Sequence, residues 1–245
     1  MELFEKAFEE YISNYDMNVK QIRYKYHHSY KVEGLMEELA KRLNLNDEET
    51  YIAKLIGLLH DIGRFEQVRV YKKCSDVKTG VDHADESVKY LFDKGHIRDF
   101  IIDDKYDQII KDAIKNHNKF EIDKKVKDKN LMFSKMIRDM DKVDIFRVLS
   151  EEYKYDFDKD TISDKIKEAI NNKRTVNTHD IKSSADKVLS YCVFLYDINY
   201  KESFEILRET ENFKKMFKMV TPINGSEDKL EEIKNYYYKL IEDVK

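Results

Sequence analysis

The sequence has very few of the residues that make tight turns. One proline, Pro222, and six glycines are present among 245 residues. A β-sandwich or β-barrel with many short strands needs more of both residue types. We therefore predict an all-α protein, and its length allows one large domain or two small ones.

Cysteine and long apolar runs are scarce as well. The two cysteines, Cys74 and Cys192, are too few for a disulfide framework and are expected to be free thiols. No run approaches the length of about 18 apolar residues that a membrane span needs. The charged N-terminus lacks the apolar core of a signal peptide. These absences predict a cytoplasmic protein with no membrane partner.

Neither sign of charge dominates the chain. Lys and Arg total 45 against 49 Asp and Glu, and the formal net charge is −4. Because there is no basic arm and no acidic tail, duplex nucleic acid is not an expected partner. Hydrophobic residues make up 41% of the chain and aromatic residues 12%, which excludes disorder.

Hydrophobic periodicity predicts helices along the whole chain. We expect an irregular loop over 65–82, a charged linker over 120–129 and a polar connection over 151–160. Residues 1–150 are expected to form a helical core and residues 151–245 a helical extension, together one structural unit. The predicted helices cover 3–16, 19–43, 47–60, 82–92, 97–117, 131–149, 163–171, 180–196, 200–219 and 227–243.

The helix that ends at His60-Asp61 is apolar on nearly every side, which predicts a central position in the core. A His-Asp dipeptide alone is weak evidence, since roughly one is expected by chance. The chain contains a second copy, His179-Asp180, in a polar stretch typical of a helix cap. Only His60-Asp61 ends a buried helix, which would hold both polar side chains rigidly and shield them from most of the solvent.

Other histidines and one aspartate also lie at core-facing positions or at the start of a helix. His28, His117 and Asp141 lie on apolar helix faces, and His83 opens a helix. His27 points about 100° away from His28 and is the poorer candidate. A hydrogen-bonded core residue is the ordinary explanation for one such histidine, and Asp141 could pair with a neighbouring cation. The joint pattern across separate helices is what indicates a metal site.

The order His, His-Asp, Asp resembles the HD superfamily of metal-dependent phosphohydrolases. The resemblance covers residues 20–150 and implies an HD-domain helical bundle with additional C-terminal helices. Residues 151–245 resemble nothing with an attached function. The similar segments are His28-Ser29, Leu58-Leu59-His60-Asp61-Ile62-Gly63-Arg64, Asp82-His83-Ala84, Asn116-His117-Asn118 and Arg138-Asp139-Met140-Asp141-Lys142-Val143-Asp144.

The resemblance also implies a role for each site residue. One metal ion would be held by His28, His60, Asp61 and Asp141. Asp61 would bridge to a second ion held by His83 and His117. Asp61 and Arg64 would be catalytic residues, although many family members have Lys where Arg64 stands. Arg64 would contact the substrate. Lys119, close after His117, and Lys142, next to Asp141, are weaker candidates for substrate contact by their positions alone, and an ordinary surface lysine is the simpler interpretation of both.

The predicted function is hydrolysis of a phosphomonoester or phosphodiester by a metal-activated hydroxide. A nucleotide is the favoured substrate and a homodimer is a candidate assembly. The ligand types suit Mn²⁺, Fe²⁺, Co²⁺, Ni²⁺ or Mg²⁺ and do not select one of them. Two alternatives stay open. The first is a mixed-valent di-iron oxygenase similar to myo-inositol oxygenase, and the second is a non-catalytic helical module that binds a metal or a nucleotide.

Overall fold

The computed structural model describes residues 2–152, 162–220 and 227–242. Within these ranges the regular structure is helical and contains no strand, which confirms the predicted all-α fold. A π-helical turn, Lys89–Asp93, follows α6, and 3₁₀ turns cover Thr178–Asp180 and Val193–Asp197. The α-helices are α1 Leu3–Ile12, α2 Lys20–Arg42, α3 Asp47–Leu59, α4 Ile62–Tyr71, α5 Asp76–Thr79, α6 His83–Val88, α7 Ile97–Phe100, α8 Asp107–Asn116, α9 Asp128–Glu152, α10 Asp164–Asn171, α11 Ser184–Cys192, α12 Lys201–Thr210, α13 Asn212–Val220 and α14 Glu227–Glu242.

The chain divides into two compact units, Met1–Asp141 and Lys142–Lys245. The division falls inside α9, and so does the boundary at residue 150 that the sequence predicts. Most of the predicted polar connection over 151–160 lies outside the described residues. In the described part of the chain, no helix is both long enough and apolar enough to cross a membrane.

The central helix α3 starts as the sequence predicts. Asn46 caps it, because its side-chain oxygen accepts the backbone N–H of Glu49 at 2.9 Å. The Glu49 side chain accepts the N–H of Asn46 at 3.2 Å, which completes a capping box. The helix then buries nearly every apolar side chain it carries. This rigid, buried segment delivers His60 directly after its last residue.

Helix α3 packs closely against α2 at a glycine. A Cβ added to Gly57 would lie 2.8 Å from the backbone Cα of Glu33 on α2, a distance that real Cβ atoms do not show. Glycine therefore lets the two helix axes approach here. The close crossing sets His28 of α2 beside His60 at the end of α3.

The prediction of an irregular loop over 65–82 is wrong, because most of α4 and all of α5 lie within that range. Helix α4 buries Ile62, Phe65 and Val68 on a narrow apolar face. Because polar residues separate these three, the hydrophobic periodicity of the segment is weak. The chain therefore forms a new helix directly after His60-Asp61 instead of leaving the core.

Two of the long predicted helices are each divided into two shorter helices in the structure. The predicted helix over 97–117 is interrupted between α7 and α8, and the one over 200–219 is interrupted at Glu211. Glu211 has a φ of 54°, in the left-handed region that ends a helix. Helix α11 begins at Ser184, later than predicted. Ser183 caps it, because its Oγ accepts the backbone N–H of Asp186 at 2.9 Å.

Candidate metal centre

The six predicted metal ligands come from separate helices or helix ends within the first unit. His28 is on α2, His60 follows α3, Asp61 precedes α4, His83 opens α6, His117 follows α8 and Asp141 is on α9. All except Asp141 are almost completely buried, and the side chain of Asp141 is 15% exposed. The fold thus brings together residues that are far apart in sequence.

The first ligand set consists of His28, His60, Asp61 and Asp141. His28 Nε2 lies 3.1 Å from Asp141 Oδ1 and 3.3 Å from His60 Nε2. Asp61 Oδ2 lies 3.6 Å from His28 Nε2 and 3.5 Å from His60 Nε2. The donor atoms of His28, His60 and Asp141 lie close enough together to hold one common ion. Asp61 Oδ2 lies beside the two histidine nitrogens of this group.

The second ligand set uses the other oxygen of Asp61. Asp61 Oδ1 lies 3.1 Å from His83 Nε2 and 3.6 Å from His117 Nε2. The two imidazole nitrogens are 2.9 Å apart. Asp61 therefore points one carboxylate oxygen at each ligand set, which is the arrangement a bridging carboxylate needs.

Backbone carbonyls orient two of the rings. His60 Nδ1 donates to the carbonyl of Gly57 at 2.7 Å, and His117 Nδ1 donates to the carbonyl of Ile114 at 2.7 Å. A carbonyl only accepts, so each Nδ1 carries a proton. The Nε2 atom of such a ring is then the one that can bind a metal ion. Such outer hydrogen bonds are typical of metal-binding histidines.

His83 is oriented by a carboxylate. Its Nδ1 donates to Asp76 Oδ2 at 2.6 Å, so its Nε2 points at the Nε2 of His117. Burial is the largest influence on His117 and lowers its pKa to about 4, which keeps that ring neutral near pH 7. The two Nε2 atoms, 2.9 Å apart, can share one cation, either a proton or a metal ion.

The carboxylates of Asp61 and Asp141 are ionised in this environment. Burial opposes ionisation, but Lys25 and the surrounding histidines hold the pKa of Asp61 well below its usual range. Burial also opposes the ionisation of Asp141, but the neighbouring rings of His28 and His60 hold its pKa well below the usual range. Asp61 Oδ1 is buried and accepts no hydrogen bond. A buried charged oxygen without such a bond is costly, so this donor set fits a divalent cation.

A glycine and a serine join the two ligand sets. A Cβ on Gly63 would lie 2.6 Å from the carbonyl of His83, so only glycine lets α4 pack this closely on α6. Ser87 Oγ accepts the Gly63 N–H at 2.9 Å and lies 2.9 Å from the carbonyl of His83. It also lies 3.2 Å from the carbonyl of His60. The backbones that carry both sets are thereby tied together.

Residues 26–146, about half of the chain, match the family model of the HD domain. The chain carries an HD domain. The resemblance based on sequence motifs is confirmed, and the protein is a member of the HD superfamily. Members of this superfamily are in general metal-dependent phosphohydrolases. All six predicted ligands lie within the matched residues. Searches of curated proteins and of solved structures returned no match.

The remaining histidines of interest lie on the surface of the protein. His27, next to His28 on α2, is exposed. His179 is exposed in a 3₁₀ turn whose start is capped by Asn177 at 3.1 Å. His179 and Asp180 lie inside this turn, and Ser183 caps the α-helix that follows, so the interpretation of the dipeptide as a helix cap is wrong. Neither residue belongs to the two candidate ligand sets described above.

The predicted substrate contacts have different surroundings. Arg64 Nε lies 3.9 Å from Asp61 Oδ1, beside the centre. Lys119 Nζ donates to Asp82 Oδ2 at 2.6 Å, at the start of α6. Lys142 belongs to the second unit, where its Nζ lies 2.8 Å from Asp197 Oδ2. A role in substrate binding stays a prediction for all three.

Sequence reasoning missed two charged residues of the HD-domain site. Lys25 of α2 forms an ion pair with Asp61 Oδ2. Asp76 of α5 binds His83 and also accepts a hydrogen bond from Arg64 Nη1 at 2.6 Å. Lys25 stands three residues before His28, so its place on the same helix face was a usable signal. Asp76 lies in the segment predicted to be a loop, where no helix face indicates which side chains are buried.

Proposed function

We propose that this HD-domain protein is a metal-dependent phosphohydrolase that binds two divalent cations. His28, His60, Asp61 and Asp141 would hold one cation, and Asp61, His83 and His117 the other. The observation that carries the proposal is the carboxylate of Asp61, whose two oxygens face the two histidine sets.

The ligand types indicate which cations and substrates suit the site. Imidazole and carboxylate without thiolate suit Mn²⁺, Fe²⁺, Co²⁺, Ni²⁺ or Mg²⁺. When bound, two such cations supply a water that is deprotonated near neutral pH and stabilise charge on phosphoryl oxygens. Neutral histidines and two carboxylates leave the loaded centre with a positive charge. We infer that the substrate is an anionic phosphoester, with a nucleotide favoured.

The chain's own residues prepare the site in two ways. Hydrogen bonds donated by Nδ1 orient the rings of His60, His83 and His117, so that their Nε2 atoms point at the centre. Arg64 is held by Asp76 and Gln67, each 2.6 Å from its Nη1. Its Nε is buried and donates no hydrogen bond, which leaves a positive group available to stabilise phosphate charge.

The test replaces Asp61→Asn, which keeps the shape of the side chain but removes its charge. We expect the rate of metal-dependent hydrolysis to fall by more than roughly 100-fold. Loss of a hydrogen-bond partner of a metal ligand already lowers activity by up to about that factor, and Asp61 would be a ligand itself. Bound Mn²⁺, measured by elemental analysis, should fall from two equivalents to one or none. Hydrolysis is measured with phosphomonoesters, phosphodiesters and nucleotides, and the helical circular dichroism should be unchanged.

The second dipeptide offers a matched control. Asp180→Asn makes the same chemical change next to an exposed histidine and should leave activity and metal content intact. Full hydrolysis by the Asp61→Asn variant would contradict the proposal. A mixed-valent di-iron signal in electron paramagnetic resonance, with no phosphoester hydrolysed, would favour the oxygenase instead.

A further inference from the structure

One oxygen of the bridging carboxylate already has a positively charged neighbour from the protein. Lys25 Nζ forms an ion pair with Asp61 Oδ2. The side chain of Lys25 is 21% exposed and that of Asp61 is 3% exposed, so most water is excluded from the pair. The same oxygen faces His28 and His60 of the first ligand set, at 3.6 and 3.5 Å.

The other cation near the bridge is differently placed. Arg64 approaches Asp61 Oδ1 only to 3.9 Å and binds a second carboxylate, Asp76, at 2.6 Å. An ammonium and a divalent cation on one carboxylate oxygen would repel each other strongly where water is excluded. Oδ2 therefore cannot keep its ion pair with Lys25 and bind a divalent cation equally well.

We propose that Lys25 competes with a divalent cation for Asp61 Oδ2 and, once displaced, binds the phosphoryl group of the substrate. The inference rests on the proposed function. Lysine carries a point charge on a flexible stem with three donors, so its ammonium can change partners without moving the helix. Its backbone stands three residues before His28, so the displaced ammonium stays beside the centre. An anion is the partner that such a crowded group of positive charges requires.

The first test measures cation affinity in chelator-treated protein titrated with Mn²⁺ alone. The variants are built on His83→Ala, so that the titration reports mainly the first ligand set. We expect Lys25→Met to bind Mn²⁺ roughly tenfold more tightly than its parent, because no ion pair has to break. Lys31→Met, an exposed lysine on the same helix, should leave the affinity unchanged.

The second test measures the binding of inorganic phosphate to protein saturated with Mn²⁺, with His83 intact. Here Lys25→Met should weaken phosphate binding roughly tenfold. Lys25→Arg keeps the charge and should retain most of it. Opposite effects on Mn²⁺ and phosphate distinguish an exchange of partners from a structural role, which would weaken both.

The outcomes separate this inference from the proposed function. If the wild type binds two Mn²⁺ and hydrolyses phosphoesters but Lys25→Met leaves both affinities unchanged, only the role of Lys25 is overturned. Weaker binding of both ligands by Lys25→Met overturns it as well. If the wild type binds no Mn²⁺ and hydrolyses nothing, the function and the inference both fail.

Discussion

Asp61 is the residue at which α3 gives way to α4. Its backbone leaves helical geometry there, with φ −105° and ψ 15°, whereas His60 before it is still helical. Neighbouring side chains on a regular helix point about 100° apart. The break lets both side chains reach one centre, with His60 Nε2 3.5 Å from Asp61 Oδ2. A local change of backbone direction therefore brings the two side chains of this dipeptide together.

Asp76 gives a prediction at the same scale. Burial opposes its ionisation, but His83 and Arg64 hold the pKa of Asp76 well below its usual range. Asp76→Asn should weaken Mn²⁺ binding at the second ligand set by about 10- to 100-fold and spare the first, because His83 loses its orienting carboxylate. Calorimetric titration of the two classes of site is the measurement. Asp85→Asn, an exposed carboxylate on α6, is the control, and an equal loss at both sets would refute this role.

Helices α1, α2 and α3 meet around a buried glutamate. Glu33 of α2 is 5% exposed, and Lys54 of α3 lies 3.8 Å from its carboxylate. Glu2 and Glu5 from the start of α1 and Glu37 from α2 face the same cluster. Burial and then the charge of Glu5 raise the pKa of Glu33 to about 7. The protonated carboxyl is therefore the form that suits this contact between helices.

The pH dependence of stability follows from that shift. Because the pKa of folded Glu33 lies above its ordinary value of 4.5, its contribution to stability is full below that value and is lost as pH rises to about 7. Glu33→Gln mimics the protonated form. Its free energy of unfolding relative to wild type should therefore rise by on the order of 1 kcal/mol between these pH values and then level off.

Urea denaturation across this pH range, with chelator present, measures the difference. Glu37→Gln is the control, since the hydrogen bond from Lys41 lowers the pKa of Glu37 instead. A difference between Glu33→Gln and wild type that is flat from pH 4.5 to 7 would show that Glu33 titrates normally.

At the scale of the whole molecule, the two units differ in what they carry. All six predicted ligands lie in Met1–Asp141. In the described part of the second unit several aromatic side chains belong to the core, since Phe213 and Tyr237 are each 1% exposed. Tyr238 is the exception at 43%.

Calorimetry tests the link between metal and fold. A cation at 100 times its dissociation constant stabilises the folded form by about 2.7 kcal/mol. For a chain of this size that raises the melting temperature by roughly 5–10 °C. If the units unfold separately, only the transition of Met1–Asp141 should shift between chelator and Mn²⁺. The Asp61→Asn variant should lose most of the shift, and no shift in the wild type would contradict a metal centre.

The sequence by itself determined the helical class and the set of candidate ligands. Scarce proline and glycine and the 3.6-residue periodicity are local properties, so they can be recognised without a fold. His28, His117 and Asp141 stood out because their apolar neighbours on one helix face mark that face as buried. Helix α4 was missed because its apolar face is narrow, and the helices predicted over 97–117 and 200–219 were joined because apolar residues continue across the breaks.

Only the tertiary structure decided which atoms meet. Lys25 and Asp61 are 36 residues apart, and so their ion pair leaves no periodic trace in the sequence. The same holds for Asp76, which joins Arg64 to His83 from a short helix. The division of the two Asp61 oxygens between two histidine sets depends on how α2, α4, α6, α8 and α9 pack. Distances of a few ångströms between distant segments follow from that packing and are not encoded in any one stretch of the chain.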